Sequence, residues 1–350
     1  MTNLERIDLL EQHRFLPREE LRALLETHTP TDAEHLFARA RAVRETVYGR
    51  AVYLRTLIEI SSYCKKDCYY CGLRRSNQNA QRYRLSKDDI LACCAEGYAL
   101  GLRTFVLQGG EDPWCTDARL CDITANIRKR YPGCAITLSL GERSRESYTA
   151  LFAAGADRYL LRHESANEAH YRHLHPPELR LQSRLQCLRD LREIGYQVGC
   201  GFMVGSPGQS VDCLLDELEL LRSFQPDMVG IGPFLPHRDT PFAHEPPGSP
   251  ELTLLLLGIT RLLLPGALLP ATTALGTARA NGRAMGLLAG ANVVMPNFSP
   301  PSAREKYSIY DGKNSAEGFD GLQALVEGAG CHIEITRGDA RSGELTCTST

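Results

Sequence analysis

The sequence predicts an α/β fold, a (β/α)8 barrel of the TIM type, on three observations. Eight short β-rich runs follow residue 51, amphipathic helical stretches of about 15 residues separate them, and a purely helical stretch precedes the first run. Repeated βα units imply a parallel sheet, and a count of eight favours a closed barrel over an open, doubly wound sheet. The chain is therefore expected to divide into an N-terminal helical segment packed on the barrel (1–50), the barrel itself (51–296) and a C-terminal extension (297–350) that completes the barrel mouth and ends in a frayed tail.

In the helical segment Leu9, Leu10, Phe15, Leu16, Leu21, Leu24 and Leu25 recur at helical spacing, and Thr31-Asp32 reads as an N-cap before a helix over 34–48. The strand candidates are 53–60, 104–108, 135–140, 158–161, 198–203, 228–231, 268–272 and 292–295. Between them, helices are expected at 87–100 behind Ser86, 117–131, 184–194 ending at Gly195, and 211–224. The most apolar stretch, 252–269, is broken by Thr253, Gly258, Thr260, Arg261, Pro265 and Gly266, so it reads as a buried helix and a strand, too short for a span of roughly 20 apolar residues. Beyond the last strand come Tyr307, Tyr310 and a final helix over 316–328. The last dozen residues read as the tail.

Composition narrows the function. Forty Lys and Arg face 42 Asp and Glu, a net charge of −2 that leaves no electrostatic footprint for nucleic acid or an anionic membrane. Residues 1–22 mix acids and arginines without an apolar run, so no signal peptide is expected and the cytoplasm is the expected location. Thirteen cysteines, an odd number, argue against a disulfide framework and for reduced thiols, some of them metal ligands.

Spacing selects three of them. Just past the first strand stands Tyr63-Cys64-Lys65-Lys66-Asp67-Cys68-Tyr69-Tyr70-Cys71, a C-x3-C-x2-C pattern. Three thiolates within eight residues can hold one face of a [4Fe–4S] cluster and leave one iron open. A zinc site normally wants a fourth protein ligand, which the loop lacks. Lys65, Lys66 and Asp67 make it too polar for three core cysteines.

This pattern, with Tyr70 before the last cysteine and a βα barrel behind it, resembles the radical S-adenosylmethionine (SAM) superfamily. There, SAM chelates the open iron and is split by one electron to a 5′-deoxyadenosyl radical. Over about 50–335 the chain further resembles the HydE family of [FeFe]-hydrogenase maturases. The carriers are Leu107-Gln108-Gly109-Gly110-Glu111-Asp112, Thr137 to Glu142, Arg162-His163-Glu164-Ser165, Met203 to Gln209, Gly230 to Phe234 with Pro236-His237, Pro270 to Ala274, and Met295 to Phe298, in order after successive strands.

The resemblance implies cofactor contacts from Gln108, Gly109, Gly110, Glu111, Ser139, Glu164, Arg184 and Met228, the last near the adenosyl part. Gly109-Gly110 lets backbone approach a ligand, Glu164 suits ribose hydroxyls, and Arg184 offers a fork to a carboxylate. By the same resemblance Thr137, Arg162, Thr272 and Thr273 line the substrate cavity, and Tyr307 and Tyr310, three residues apart, aim their rings inward in a catalytic role. Cys64, Cys68 and Cys71 are expected to hold a single [4Fe–4S] cluster. Gly312-Lys313-Asn314-Ser315 stands where some relatives carry cysteines for a second one. His163, His173, His175 and His237 read as loop or capping residues, and the other ten cysteines as bystanders.

The expected reaction is adenosyl-radical chemistry on a small, cysteine-bearing organometallic iron precursor during assembly of the hydrogenase active site. Flavodoxin or ferredoxin would serve as reductant, with transient contact to other maturases. The alternatives are a biotin synthase-like or methylornithine synthase-like enzyme on a small organic substrate, and a non-enzymatic iron–sulfur carrier. Biotin synthase is the weaker of the two, since its Asn-rich motif is replaced here by Arg162-His163-Glu164-Ser165.

Overall fold

In the computed structural model, which describes residues 1–313 and 319–341, nine strands follow in chain order: β1 (Ala51–Leu54), β2 (Thr56–Ser61), β3 (Thr104–Gly109), β4 (Ala135–Ser139), β5 (Arg158–Leu160), β6 (Gln197–Val204), β7 (Met228–Pro233), β8 (Val293–Val294) and β9 (His332–Glu334). β2 to β7 form one parallel sheet in sequence order, and β8, β1 and β9 a second. Their nearly continuous burial is what a parallel sheet covered by helices on its outer face requires.

The ring closes through a few backbone hydrogen bonds. Val229 N–H donates to Leu268 O at 3.1 Å, Ala271 N–H to Val293 O at 2.9 Å, and Leu57 N–H to Pro296 O at 2.9 Å. The expected seventh strand, 268–272, is reduced to bridges at Leu268 and Pro270, because Pro270 has no N–H to donate and Thr272 already caps the helix Thr273–Ala278. The eighth shrinks from 292–295 to β8. The first, 53–60, breaks at Arg55, where β1 leaves for β8 and β9 and β2 pairs with β3. Arg55 is buried at this break, with one nitrogen 3.0 Å from Met228 Sδ and two without a partner among the described residues.

The N-terminal segment is helical at Asn3–His13, Arg18–Thr27 and Pro30–Tyr48. The third helix starts a turn earlier than expected: Thr29 is its cap, Pro30 fits the first position, and Asp32 closes the capping box in place of serving as the cap. The helix Pro250–Leu263 is buried from Thr253 to Leu263 and packs on Pro30–Tyr48. Its Arg261, fully buried, donates to the carbonyls of Gly290, Pro265 and Ala267, satisfying oxygens that the missing strand leaves unpaired.

The helices Lys87–Ala99, Asp117–Arg130 and Val211–Phe224 stand where expected, capped by Ser86, Thr116 and Ser210. The helix expected at 184–194 begins at Leu181, which moves Arg184 into its first turn. The final helix is Phe319–Gly328. The part of it expected before residue 319, Asn314 and Ser315, and tail residues 342–350 lie outside the described residues.

The C-terminal extension divides between the two ends of the barrel, a correction to the expectation that it completes the mouth. Residues 301–313 cross the mouth, but 337–341 seal the opposite end. Arg158, the first residue of β5, donates to the carbonyls of Arg337 (2.8 Å) and Gly338 (3.1 Å) and to Asp339 (2.7 Å). Arg341 N–H donates to Tyr48 Oη at 3.1 Å. Asp339 to Arg341, expected in the frayed tail, are thereby tied down. Among the described residues no helix is long and apolar enough to cross a membrane.

Candidate active site

In a barrel of parallel strands the C-terminal strand ends share one rim, so residues there converge although they are distant in sequence. They enclose a cavity of about 300 Å³, lined by Cys64, Cys68 and Cys71 on one side and by Gln108, Gly109, Gly110, Glu111, Ser139, Arg162, Glu164, Arg184, Tyr307 and Tyr310 around the rest. Apolar walls come from Leu160, Leu161, Met203, Phe234 and Ile309.

The cysteine loop is rigid by construction. Asp67 accepts both arms of Arg74 at 2.9 Å, Ser76 N–H at 3.0 Å and Ser76 Oγ at 2.7 Å, and these donors hold its carboxyl well below the usual range. Arg82 spans the carbonyls of Leu73 (2.9 Å) and Arg74 (2.7 Å). Gly110 is required by the loop rather than by a ligand: a Cβ there would lie 2.3 Å from Tyr63 O and 2.8 Å from Cys64 Cβ. All three thiols are half-buried and unbridged. Burial pushes Cys64 up, Cys68 up to about 12 and Cys71 further still, so without a bound cation they stay protonated at neutral pH. Among the described residues no three His, Cys, Asp or Glu side chains gather around a point where one metal ion could sit.

Tyr70 closes the loop against His175. His175 Nδ1 donates to Tyr171 O at 2.8 Å, so its Nε2 accepts the Tyr70 hydroxyl at 3.2 Å. Burial holds this imidazole neutral, down to about 3. None of the four histidines is grouped for a metal. His163 is neither loop filler nor cap: its Nε2 lies 2.6 Å from Glu217, both fully buried.

Two carboxylates and two cations form a lattice beside the thiols. Glu142 accepts Lys66 Nζ at 2.8 Å and Arg184 Nε at 2.7 Å. Burial opposes its ionisation, but Arg184 and Lys66 outweigh burial and keep the carboxyl low. Glu111 accepts Glu142 N–H at 3.0 Å; its other oxygen makes no hydrogen bond but lies 3.7 Å from Lys66 Nζ and 3.8 Å from Lys65 Nζ, and burial raises its pKa. Gly141, at φ +74°, makes room for it, since a Cβ there would lie 2.1 Å from Glu111 Cγ. Arg184, read as a fork open to a ligand, is thus already bound to Glu142 and, at 2.8 Å, to Arg162 O.

Glu164 carries a backbone strain. Its φ of +65° is rare for a non-glycine residue and costs on the order of 1–3 kcal/mol. A bridge to β6 fixes it, with Glu164 N–H on Gly201 O at 3.0 Å. Its Oε2 lies 3.1 Å from Arg162 Nη2, an ion pair without the geometry of a hydrogen bond. Glu217, from Val211–Phe224, clamps this segment by accepting both His163 Nε2 and Ala166 N–H (2.7 Å).

Tyr307 and Tyr310 both reach the cavity, and burial raises both phenols, Tyr310 up to about 12. Lys313 holds their segment down: its Nζ donates to Tyr307 O at 3.0 Å, lies 4.7 Å above the Tyr307 ring and pairs with Glu59, a fully buried carboxylate on β2 that also accepts Asn297 at 2.8 Å.

Four expected positions fall outside the cavity wall. Met228 is the first residue of β7, packed with Tyr48, Tyr53 and Leu268 at the far end of the barrel, which corrects its expected place near an adenosyl group. Thr137 lies two residues below Ser139 with a buried, unpartnered hydroxyl. Thr272 spends its hydroxyl on Leu275 N–H and Ile231 O, and Thr273 lines a separate small recess with Arg283 and Lys313. Reading the residues missed Lys66, Glu142, Met203 and Glu217 as site residues. Met203 was legible: it ends the expected strand 198–203, at the rim, whereas Met228 begins the expected strand 228–231.

Taken together, the wall offers thiols to a polynuclear centre, carboxylate oxygens without a hydrogen bond to an amine or hydroxyls, and an apolar face to a planar ring. The comparisons agree with that chemistry. Residues 58–221 match the model of the radical SAM superfamily. The [FeFe] hydrogenase maturase subunit HydE of Thermotoga maritima is 46% identical over 89% of this chain and 89% of its own length. The 3-methylornithine synthase of Methanosarcina acetivorans is 29% identical over 85% of this chain and 83% of its own. The crystal structure of a methylornithine synthase superposes with a TM-score of 0.84 at 26% identity, covering 94% of this chain and 97% of that one.

Proposed function

This chain belongs to the HydE family of radical SAM enzymes, and on that premise we propose that it acts in [FeFe]-hydrogenase maturation on a small organometallic iron precursor bearing cysteine. The observation that carries the reading is the single cavity that the three thiols share with Glu111, Glu164, Arg162 and Tyr307. Members of the superfamily use a [4Fe–4S] cluster and SAM, which together supply one-electron cleavage to a 5′-deoxyadenosyl radical when bound.

Cys64, Cys68 and Cys71 would hold the cluster, the rigid Asp67–Arg74 loop fixing their spacing. Glu111 Oε2 and Glu164 Oε2, held in ion pairs but without a hydrogen bond, suit the ammonium and ribose hydroxyls of SAM, and Leu160, Leu161, Met203 and Phe234 suit its adenine. Arg184 then acts chiefly by holding Glu142 and the carbonyl of Arg162. Gln108, Gly109, Gly110 and Ser139 complete the SAM side of the wall. Arg162 offers a cation to the substrate, while Tyr307 and Tyr310 cover the cavity and exclude water from a radical. Thr272 and Thr273 would reach a substrate only by giving up the hydrogen bonds they now make, and Thr137, whose buried hydroxyl has no partner, only by a movement of the strand end above it.

The test is anaerobic reconstitution with iron and sulfide, reduction with SAM, and chromatography of 5′-deoxyadenosine and methionine. The intact protein should form both and Cys68→Ala neither. A reconstituted protein that takes up iron yet never cleaves SAM would return the carrier reading. Omission from a reconstituted hydrogenase assembly should abolish activation, and lysine rearrangement by the protein would favour the methylornithine synthase alternative.

A further inference from the structure

Between Cys64 and Leu85 the chain carries Lys65, Lys66, Arg74, Arg75, Arg82 and Arg84 against Asp67 alone, in a protein of net charge −2. The remainder is net negative, so the cysteine loop stands in a cationic island. The structure sorts these cations by direction. Lys66, Arg74 and Arg82 turn inward, onto Glu142, Asp67 and backbone carbonyls. Lys65 (54% of its side chain exposed, although its Nζ lies 3.8 Å from Glu111), Arg75 and Arg84 face solvent, and Arg75 has no ion-pair partner among the described residues.

Two aromatic rings join them. Arg84, fixed by the buried Asp112 at 2.7 Å, lies 3.8 Å from the centre of the Tyr63 ring and 5.5 Å from that of Trp114, whose other neighbour is the exposed Arg119 at 4.4 Å. Arg75 N–H donates to Lys66 O at 2.8 Å, which keeps the two ends of the island together. Tyr63 and Lys65 flank Cys64 in the chain, so this surface is one residue from the first thiol.

We propose that this outer face docks an acidic electron-transfer protein that delivers the reducing electron. The proposal rests on the radical SAM reading of the cavity, which requires a one-electron donor. In the step the partner's reduced centre loses one electron and the group held by the three thiols gains it. No atom or proton crosses the interface. The charge balance selects a small acidic protein over a nucleic acid: attraction is confined to the island, within a screening length of about 10 Å, and the rest of the chain repels a polyanion. Exposed cations around half-buried aromatic rings match the polar rim and aromatic centre of a transient interface.

The test uses flavodoxin as probe, titrated calorimetrically at low ionic strength into the full chain with and without its cluster. Arg75→Glu/Arg119→Glu should weaken binding about tenfold or more, Arg75→Gln/Arg119→Gln less, and added salt should weaken the wild type most. In parallel, SAM cleavage is driven by flavodoxin or by dithionite, a small reductant that needs no docking face. Loss with flavodoxin and retention with dithionite supports the surface. Wild-type affinity and flavodoxin-driven turnover in both variants overturn it. Failure of dithionite-driven cleavage in the wild type strikes the reading of the cavity instead, and the titration still judges the surface.

Discussion

Glu164 combines a strained backbone with a half-satisfied carboxylate. Glu164→Gly removes both, and two readouts report them apart. Stability should stay level or rise by up to about 1 kcal/mol, because glycine adopts positive φ without penalty, while SAM binding by equilibrium dialysis should weaken at least tenfold. Loss of stability with unchanged SAM affinity would assign Glu164 to the fold alone. Behind it, Glu217→Ala leaves a buried imidazole without its carboxylate and should cost about 3–5 kcal/mol in denaturant unfolding. Burial opposes the charge on His163, but Glu217 outweighs it and raises the pKa from 6.5 to about 10. The stability contributed is full below 6.5 and is lost as pH rises through about 10, a decline that Glu217→Ala should abolish. The thiols stood out by residue type and spacing, whereas Glu164 was singled out only through the family resemblance. Glu217 was not, because a glutamate on an amphipathic helix reads as solvated until the fold turns it inward.

At the scale of elements, the loops depend on room made elsewhere. Gly110→Ala should displace the Tyr63–Cys64 backbone, halving or more the iron retained per chain after reconstitution while far-ultraviolet circular dichroism stays native. Unchanged iron would show that the loop yields. The segment that carries Tyr307 and Tyr310 hangs on Lys313 and Glu59. Lys313→Met should strand a buried carboxylate and speed proteolysis at 301–313, whereas Lys313→Met with Glu59→Gln should restore resistance, since an absent pair costs less than a broken one. The helices Lys87–Ala99, Asp117–Arg130 and Val211–Phe224 stood where periodicity put them, while Pro30–Tyr48 began a turn early at Thr29. Strands were harder: Pro270 and the break at Arg55 decide where pairing stops, and pairing partners are set by the ring rather than by the run itself.

For the whole molecule, the barrel is held at both ends by its own C-terminal chain. Arg158 is fully buried and Asp339 is its carboxylate partner, 43% exposed. Asp339→Ala should therefore cost about 2–3 kcal/mol, discounted for that exposure. Burial raises the Asp339 carboxyl, but Arg158 outweighs it and lowers the pKa from 3.8 to about 2. This contribution is present above 3.8 and fades as pH falls toward 2. Thermal melts across that range should show a steeper acid loss in the wild type than in the variant.

The barrel class, the helical segment before it and the cysteine loop were determined by the sequence itself, because periodicity, caps and short spacings are local properties of a chain. What Arg184 grips and which end of the barrel the last residues close were decided only by tertiary structure. Strand polarity, ring closure and burial bring together residues such as Glu59 and Lys313, or Arg158 and Asp339, that no local pattern relates.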